Sequence, residues 1–158
     1  MLLILSPSIL KKYRYQWISA WLLILILSGC SLWQPSVKLK SVQLEVTEKA
    51  NDNSPIPVDF VAVRDPELLK TLQSLTANQW FSNKSQILLD YPKLKIWTLE
   101  LVPGSQLKTK EIPLSGERAI GLLMFAGYSG EGAHRLRLDE TKKLKLKFGD
   151  NEVQVIKR

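Results

Sequence analysis

The side chain with the most distinctive chemistry in this chain of 158 residues is its only cysteine, Cys30. It follows an apolar run, residues 17–27, and two small residues, Ser28 and Gly29. A lone cysteine usually behaves as a small buried hydrophobic residue. A buried cysteine has no reason to lie where such a run ends, so its position needs another explanation.

Residues 1–29 have the three-part order of a secretory signal peptide. Lys11, Lys12 and Arg14 supply positive charge, an apolar run follows, and small residues end it. A transmembrane anchor is the alternative interpretation. A spanning helix needs about 20 predominantly apolar residues, and Ser28 and Gly29 interrupt the run too early, which favours the signal peptide.

The residues LSGC, 27–30, resemble the bacterial lipobox, in which signal peptidase II cuts before a cysteine that carries a diacylglycerol. The resemblance implies that Cys30 is the lipidated first residue of the mature protein. One acyl chain binds a membrane only marginally, whereas several chains hold it durably. Ser31 stands where enterobacterial lipoproteins of the inner membrane usually have Asp, which implies the periplasmic face of the outer membrane.

Composition bounds what the mature part, residues 30–158, can be. Its 129 residues suffice for one domain with a core. The formal charge of +7 falls to +4 once the signal peptide is removed, which is too weak for a nucleic-acid-binding protein. With Cys30 acylated, no disulfide can form, and packing alone must hold the fold.

Few residues could support catalysis. The chain has one histidine, His134, and no second cysteine, so Cys and His clusters for a metal are excluded by count. The sequence SGEG at residues 129–132 lacks the G-x-S-x-G pattern of a nucleophile turn, and we interpret it as a flexible turn. The scattered Asp and Glu residues leave a catalytic carboxylate pair open. We expect no cofactor, no metal and no small-molecule substrate.

Apolar and polar residues alternate along much of the mature chain, as in half-buried strands. After a tether, residues 30–36, the pattern predicts a strand over 37–48 with a bulge at Lys40–Ser41, a polar turn, and a central strand over 58–64. Asp65 can cap a helix whose leucines recur at helical spacing, so a helical insertion is predicted near residues 65–82. Trp80 and Phe81 end it and should pack it onto a sheet.

Further strands are predicted over 86–91, 93–101, 107–114, 119–128 and 143–156, the last as a hairpin that turns at Gly149. Leu144, Leu146 and Phe148 should point inward and the alternating lysines outward, as a solvated row that discourages pairing at a sheet edge. The pattern of about eight strands with one helical insertion predicts an all-β, two-sheet β-sandwich over residues 37–158.

The order of these features resembles the outer-membrane lipoprotein family of type VI secretion systems (TssJ, also called VasD). The similar segments are the lipobox, the early strand, the strand PVDFVAV, the helical insertion, LELVPGSQL and AIGLLMFAGY. The segment GYSGEGAHR departs from the family, because it lacks the Trp-Arg pair that commonly follows the late strand. The resemblance covers most of residues 37–156.

The resemblance implies a transthyretin-like β-sandwich without enzyme activity that sits on the outer membrane. It would bind the periplasmic domain of a large inner-membrane protein, TssM. The family's partner loop maps here onto Asn51, Asp52, Asn53 and Ser54. Two alternatives remain open: another envelope-assembly lipoprotein such as a secretin pilotin, and a periplasmic carrier whose ligand pocket is lined by Trp80, Phe81 and Trp97.

Overall fold

Eight strands form two four-stranded sheets in the computed structural model, which describes residues 35–156. The strands are β1 (Ser41–Val46), β2 (Ile56–Val63), β3 (Lys95–Leu101), β4 (Gln106–Thr109), β5 (Gly121–Ala126), β6 (Arg135–Arg137), β7 (Lys143–Phe148) and β8 (Val153–Val155), and the helices are α1 (Pro66–Ser74) and α2 (Ala77–Asp90). Sheet 1 has the order β4-β1-β7-β8 and sheet 2 the order β3-β2-β5-β6. The predicted all-β sandwich with a helical insertion is confirmed.

Sheet 1 turns one face to the core and the other to solvent. Leu144, Leu146 and Phe148 of β7 are buried and belong to the core between the sheets, as the alternation in the sequence predicts. β1 pairs with β7 in parallel and with β4 antiparallel. A strand that contacts the core on one face only has polar residues at every second position, which is what β1 and β7 show.

The predicted change of facing before β1 is present. Val37 and Leu39 are buried, as are Val42 and Leu44, so the buried phase slips by one residue between the two pairs. The backbone N–H groups of Lys40 and Ser41 both donate to the carbonyl of Lys142, at 2.8 and 3.3 Å. When two successive N–H groups donate to the same carbonyl, the strand has a bulge. The extra residue turns the side chains that follow it to the opposite face.

Sheet 2 is covered on both faces. β2 and β5 are buried along nearly their whole length because one face packs in the core between the sheets and the other packs under the helices. Such strands show continuous apolar runs in place of alternation. Their central position in the sheet was predicted from those runs and is confirmed.

Two helices occupy the insertion. Asp65 caps α1, with its Oδ1 accepting from the N–H of Leu68 at 2.7 Å, as predicted. Thr76 caps α2 through a capping box with Gln79, a second start that the sequence analysis overlooked. The helical region therefore extends to Asp90, past the predicted end near residue 82.

The predicted strand over residues 86–91 is wrong, because α2 continues through it. Trp80, Lys84 and Ile87 lie at helical spacing and face sheet 2, so packing on the sheet sustains the helix where six residues alone looked like a strand. The strand missing from the prediction is β6, whose three residues pair with β5. A segment that short has no detectable period of its own.

The two ends of the sandwich differ in what they carry. The described chain enters at Pro35, whose carbonyl accepts from the N–H of Ala119 at 3.0 Å, beside the start of β5. The strand directions place the connections from β1 to β2, β3 to β4, β5 to β6 and β7 to β8 at the opposite end. Strands of this length span about 20 Å, which separates these four connections from Pro35.

Candidate functional site

The four connections at the end opposite Pro35 lie together, and we call residues 47–55, 102–105, 127–134 and 149–152 the loop end. Thr47 donates its N–H to the carbonyl of Phe148 at 2.9 Å, and its own carbonyl accepts from the N–H of Gly104 at 3.2 Å. The N–H of Gly127 donates to the carbonyl of Pro57 at 2.8 Å. These backbone bonds tie loops from both sheets into one surface.

Asn51 is the centre of the loop end. Its side chain is 4% exposed, and its Nδ2 donates to the carbonyl of Pro55 at 3.1 Å. Its Oδ1 accepts from the N–H of Ser129 at 2.7 Å, and its own N–H donates to the carbonyl of Asp150 at 2.9 Å. One side chain and its backbone therefore join three of the four loops.

The turn Ala50–Asn53 has an unusual backbone. Asn51, Asp52 and Asn53 all have positive φ angles, of 51°, 53° and 60°. Most side chains avoid this left-handed region, whereas Asn and Asp tolerate it because their short polar groups bond locally. The sequence Asn-Asp-Asn therefore suits this turn, and the bonds of Asn51 fix it.

Tyr128 connects the β5–β6 loop to the β7–β8 turn. Its ring is buried, and its hydroxyl lies 3.0 Å from the carbonyl of Gly149 and 3.1 Å from that of Glu152, so it donates into the β7–β8 turn. Burial, with smaller contributions from the carboxylates of Glu152 and Asp150, raises the pKa of Tyr128. The phenol therefore stays protonated and remains a hydrogen-bond donor.

His134 packs against this tyrosine. The two ring centroids lie 4.8 Å apart, and its Nε2 lies 3.1 Å from the carbonyl of Glu131. His134 is partly exposed. Its contacts are structural, since they brace the β5–β6 loop over Tyr128.

Close packing also fixes Gly127. A Cβ built there would lie 2.7 Å from Cγ of Pro57 and 3.0 Å from the ring of Phe81. Neither neighbour can move freely, because Pro57 is in β2 and Phe81 is in α2 and packs against the apolar cluster between the helices and sheet 2. Position 127 therefore has room for glycine only, and any side chain there would displace the start of the β5–β6 loop.

The charged side chains of the loop end are mostly acidic. Its charged residues are Glu48, Lys49, Asp52, Glu131, Asp150 and Glu152, all exposed, which gives a net charge of −4. Residues 30–158 as a whole are positive. The acidic surface has no signature in the sequence, because its charges come from three separate loops.

The residues predicted for partner binding divide into two groups. Asp52, Asn53 and Ser54 are exposed on the loop end. Asn51 was expected at the surface with them, since burying a polar loop strands its backbone groups, but the structure buries it because its polar atoms all find partners. Cys30 and the predicted signal peptide lie outside the described residues.

The ligand pocket considered for Trp80, Phe81 and Trp97 does not form. Trp80 is fully buried and stacks on Phe125 at 4.9 Å under the helices. Trp97 stacks on Phe60 at 5.0 Å, and Phe60 belongs to the core between the sheets. The two tryptophans lie on opposite faces of sheet 2 and cannot line one cavity.

The described part of the chain offers no obvious metal centre or membrane span. Residues 35–156 contain no group of three or more His, Cys, Asp or Glu side chains placed to bind a metal. Neither α1 nor α2 is long and apolar enough to cross a bilayer.

Comparison with known proteins finds the same fold in solved structures. No family model matches the sequence, and no curated protein matches it. Among solved structures, the T6SS lipoprotein TssJ1 from Pseudomonas aeruginosa superposes with a TM-score of 0.59 at 14% identity, covering 78% of this chain and 98% of that one. Lip from Serratia marcescens, a membrane-bound component of the type VI secretion system, gives 0.54 at 14% identity, covering 75% and 95%.

The chain has the fold of the type VI secretion lipoproteins. The resemblance found in the sequence is thereby confirmed at the level of the fold. A chain in the structure of the T6SS protein TssM C-terminal domain (869–1107) from EAEC also superposes, with a TM-score of 0.56 at 13% identity, covering 75% of this chain and 97% of that one. At such identities the neighbours establish a shared architecture.

Proposed function

We propose that this chain is a lipoprotein of a type VI secretion membrane complex, anchored on the periplasmic face of the outer membrane, whose loop end binds the periplasmic domain of a TssM-like inner-membrane protein. The observation that carries the proposal is the fold shared with two type VI lipoproteins. The lipobox of the sequence and the geometry of the loop end add to it. No catalytic step is involved.

The position of Cys30 supports membrane anchoring. Four residues, 31–34, separate it from Pro35, the first described residue, and the five steps from Cys30 to Pro35 reach at most about 18 Å when extended. The domain would therefore stay close to the bilayer. A chain held by several acyl groups does not dissociate on a useful timescale, so it can bear load as an anchor.

The loop end suits a partner that spans the envelope, because it lies opposite the entry of the tether. Asp52, Asn53 and Ser54 are exposed there, and their backbone is held by the buried Asn51. A loop that is already ordered loses little conformational entropy on binding. The acidic surface around it would suit a partner with basic residues.

The test replaces the exposed side chains and keeps their support. Asp52→Gly, Asn53→Gly and Ser54→Ala in one chain remove three side chains, and glycine accepts the positive φ angles. We expect the melting temperature to change little and the affinity for the periplasmic region of the TssM-like partner to fall about tenfold or more, or about 1.4 kcal/mol. Calorimetric titration of the full-length protein in detergent measures this.

Two controls complete that experiment. Lys70→Ala changes an exposed residue of α1, remote from the loop end, and should leave affinity unchanged. Asn51→Ala should lower both affinity and stability, since it leaves the N–H of Ser129 without its acceptor. Unchanged affinity in the triple variant at unchanged stability would remove this loop from the interface, and binding to a secretin subunit instead would identify a pilotin.

Lipidation has its own test. Cys30→Ser removes the thiol and should abolish incorporation of a clickable fatty acid, leaving the precursor uncleaved by signal peptidase II. Equal labelling of both proteins would contradict the anchor while leaving the partner titration to be judged separately.

A further inference from the structure

The solvent face of sheet 1 carries five lysines, which we call the lysine face: Lys108, Lys110, Lys143, Lys145 and Lys147. Their direction follows from their neighbours, because Leu144 and Leu146 between the β7 lysines are buried. Successive side chains of a strand point to opposite faces. A groove of about 640 Å³ runs across this face, and four of these lysines line it.

The predicted role of the β7 lysines, to discourage pairing at a sheet edge, does not fit most of the strand. β7 lies inside sheet 1, where β1 pairs along its whole length and β8 pairs with Leu146–Phe148. Lysines protect a strand whose N–H and C=O groups are unpaired, and only the start of β7, Lys143–Leu144, extends past β8. The row of lysines therefore needs another explanation.

Most positive charges of the lysine face have no carboxylate beside them. The ion pairs formed within residues 35–156 include none of these five lysines. Glu45, the single carboxylate among the outward residues of the strands of sheet 1, lies beside Lys147, whereas the uncharged Gln43 lies beside both Lys108 and Lys145. A surface with one sign of charge repels itself and attracts anions.

Positive and negative charges lie on different surfaces of the domain. The lysine face is strongly positive, whereas the loop end has a net charge of −4. The chain from Pro35 leads directly into β1, the central neighbour of the lysine-bearing strands β4 and β7. An anionic surface near the tether would attract the lysine face and repel the loop end.

We propose that the lysine face docks on the anionic headgroups of the membrane in which the chain is anchored. The proposal rests on the anchoring of Cys30 and not on the identity of the partner. Tethering makes the contact intramolecular, so weak attraction at each lysine is sufficient. Attraction of a basic residue to an anionic surface is worth roughly a fivefold change in affinity.

Lysine-resolved labelling tests the proposal. The lipidated full chain is reconstituted in vesicles of phosphatidylcholine alone, or with one quarter phosphatidylglycerol, and an amine-reactive reagent is followed at each lysine by mass spectrometry. We expect labelling of the lysine face to slow roughly fivefold in the anionic vesicles. High salt should abolish the difference, because the screening length falls from about 10 Å at 0.1 M to about 3 Å at 1 M.

Internal controls are available in the same protein. Lys49, Lys70 and Lys93 are exposed away from this face and should label equally in both vesicles. In a Lys108→Gln, Lys145→Gln variant the protection of Lys143 and Lys147 should weaken, whereas Lys70→Gln, Lys93→Gln should leave it intact. The mass of the purified protein reports lipidation separately, so a failure of anchoring is recognised as such.

Three results would overturn the proposal. Labelling of the lysine face as fast as that of the control lysines in both vesicles would show that it does not touch the headgroups. Labelling slower than that of the control lysines by the same factor in both vesicles would show a contact that does not depend on lipid charge. Protection that requires added envelope protein would assign the face to an acidic protein partner.

Discussion

The outer faces of the two sheets are built in opposite ways. On sheet 2, the outward residues Val61, Leu123 and Phe125 are fully buried under α1 and α2. On sheet 1, the outward positions of β7 are lysines that remain in contact with solvent. The strands of the two sheets are similar in length, so the outer faces differ because helices cover sheet 2 and solvent covers sheet 1.

The two outer faces also differ in how they accommodate charged side chains. Asp59 of β2 also faces the helices and is completely buried, yet it accepts hydrogen bonds from Nε1 of Trp80 at 2.8 Å and Oγ1 of Thr98 at 2.6 Å, and pairs with Nζ of Lys84 at 2.8 Å. A covered face tolerates a charge only when partners surround it. An open face tolerates charges without partners, because water solvates them.

The largest effect is predicted for substitutions that place a new charge on the outer face of a sheet. Phe125→Asp should abolish folding, since it adds a buried carboxylate directly across from Asp59 on the neighbouring strand. Lys145→Asp, outward on sheet 1, should leave the domain folded, whereas Leu146→Asp one residue away should unfold it. Circular dichroism and denaturant unfolding measure all three, and similar behaviour of Lys145→Asp and Phe125→Asp would remove the distinction between the faces.

The second prediction breaks the charge pair of the covered face. Lys84→Met should lower the free energy of unfolding by about 3 kcal/mol, because Asp59 would then be a buried charge without its cation. Adding Asp59→Asn should recover most of that loss by removing the charge. Lys70→Met, exposed on α1, is the control for losing a lysine from a helix. No loss in Lys84→Met would mean that water reaches Asp59.

The third prediction weakens the cover itself. Thr76→Ala removes the hydroxyl that accepts from the N–H of Gln79 at 3.2 Å at the start of α2, and should lower the free energy of unfolding by about 1 kcal/mol. Thr71→Ala, within α1 and exposed, should be neutral or slightly stabilising, since Ala has the higher helix propensity. Urea unfolding compares them, and equal effects of the two substitutions would argue against the cap.

The smallest effect is expected on the open face. Lys145→Gln should change the free energy of unfolding by less than about 0.5 kcal/mol. Any increase in the free energy of unfolding should appear at low salt, where repulsion among the lysines is strongest, and vanish at high salt. A large loss of stability would show that the lysine side chain packs on sheet 1 and is not a solvated charge.

Periodicity explains how much of the fold the sequence predicted. β1 and β7 face the core on one side and were recognised by alternation, whereas β2 and β5 are covered on both sides and were recognised as continuous apolar runs. The errors lie at α2 and β6. The six residues 86–91 fit both a strand and a helix, and only the docking of Trp80, Lys84 and Ile87 on sheet 2 decides for the helix.

The candidate site was less accessible to prediction. The loop holding Asp52, Asn53 and Ser54 was located from its turn residues and from the family resemblance. The burial of Asn51 was not, because it depends on Ser129 and Asp150, which lie some distance away along the chain. The acidic loop end arises in the same way, from loops that meet only after both sheets have formed.

The sequence by itself determined the all-β class, the start of the helical insertion at Asp65 and the inward face of β7, because these depend on local capping and on a period within one segment. Only the tertiary structure decided that Asp59 is a buried, paired charge, that Asn51 supports its loop from inside, and that the β7 lysines lie within a sheet and not at its edge. Each of these depends on which distant segments become neighbours, and that is set by packing of the whole domain.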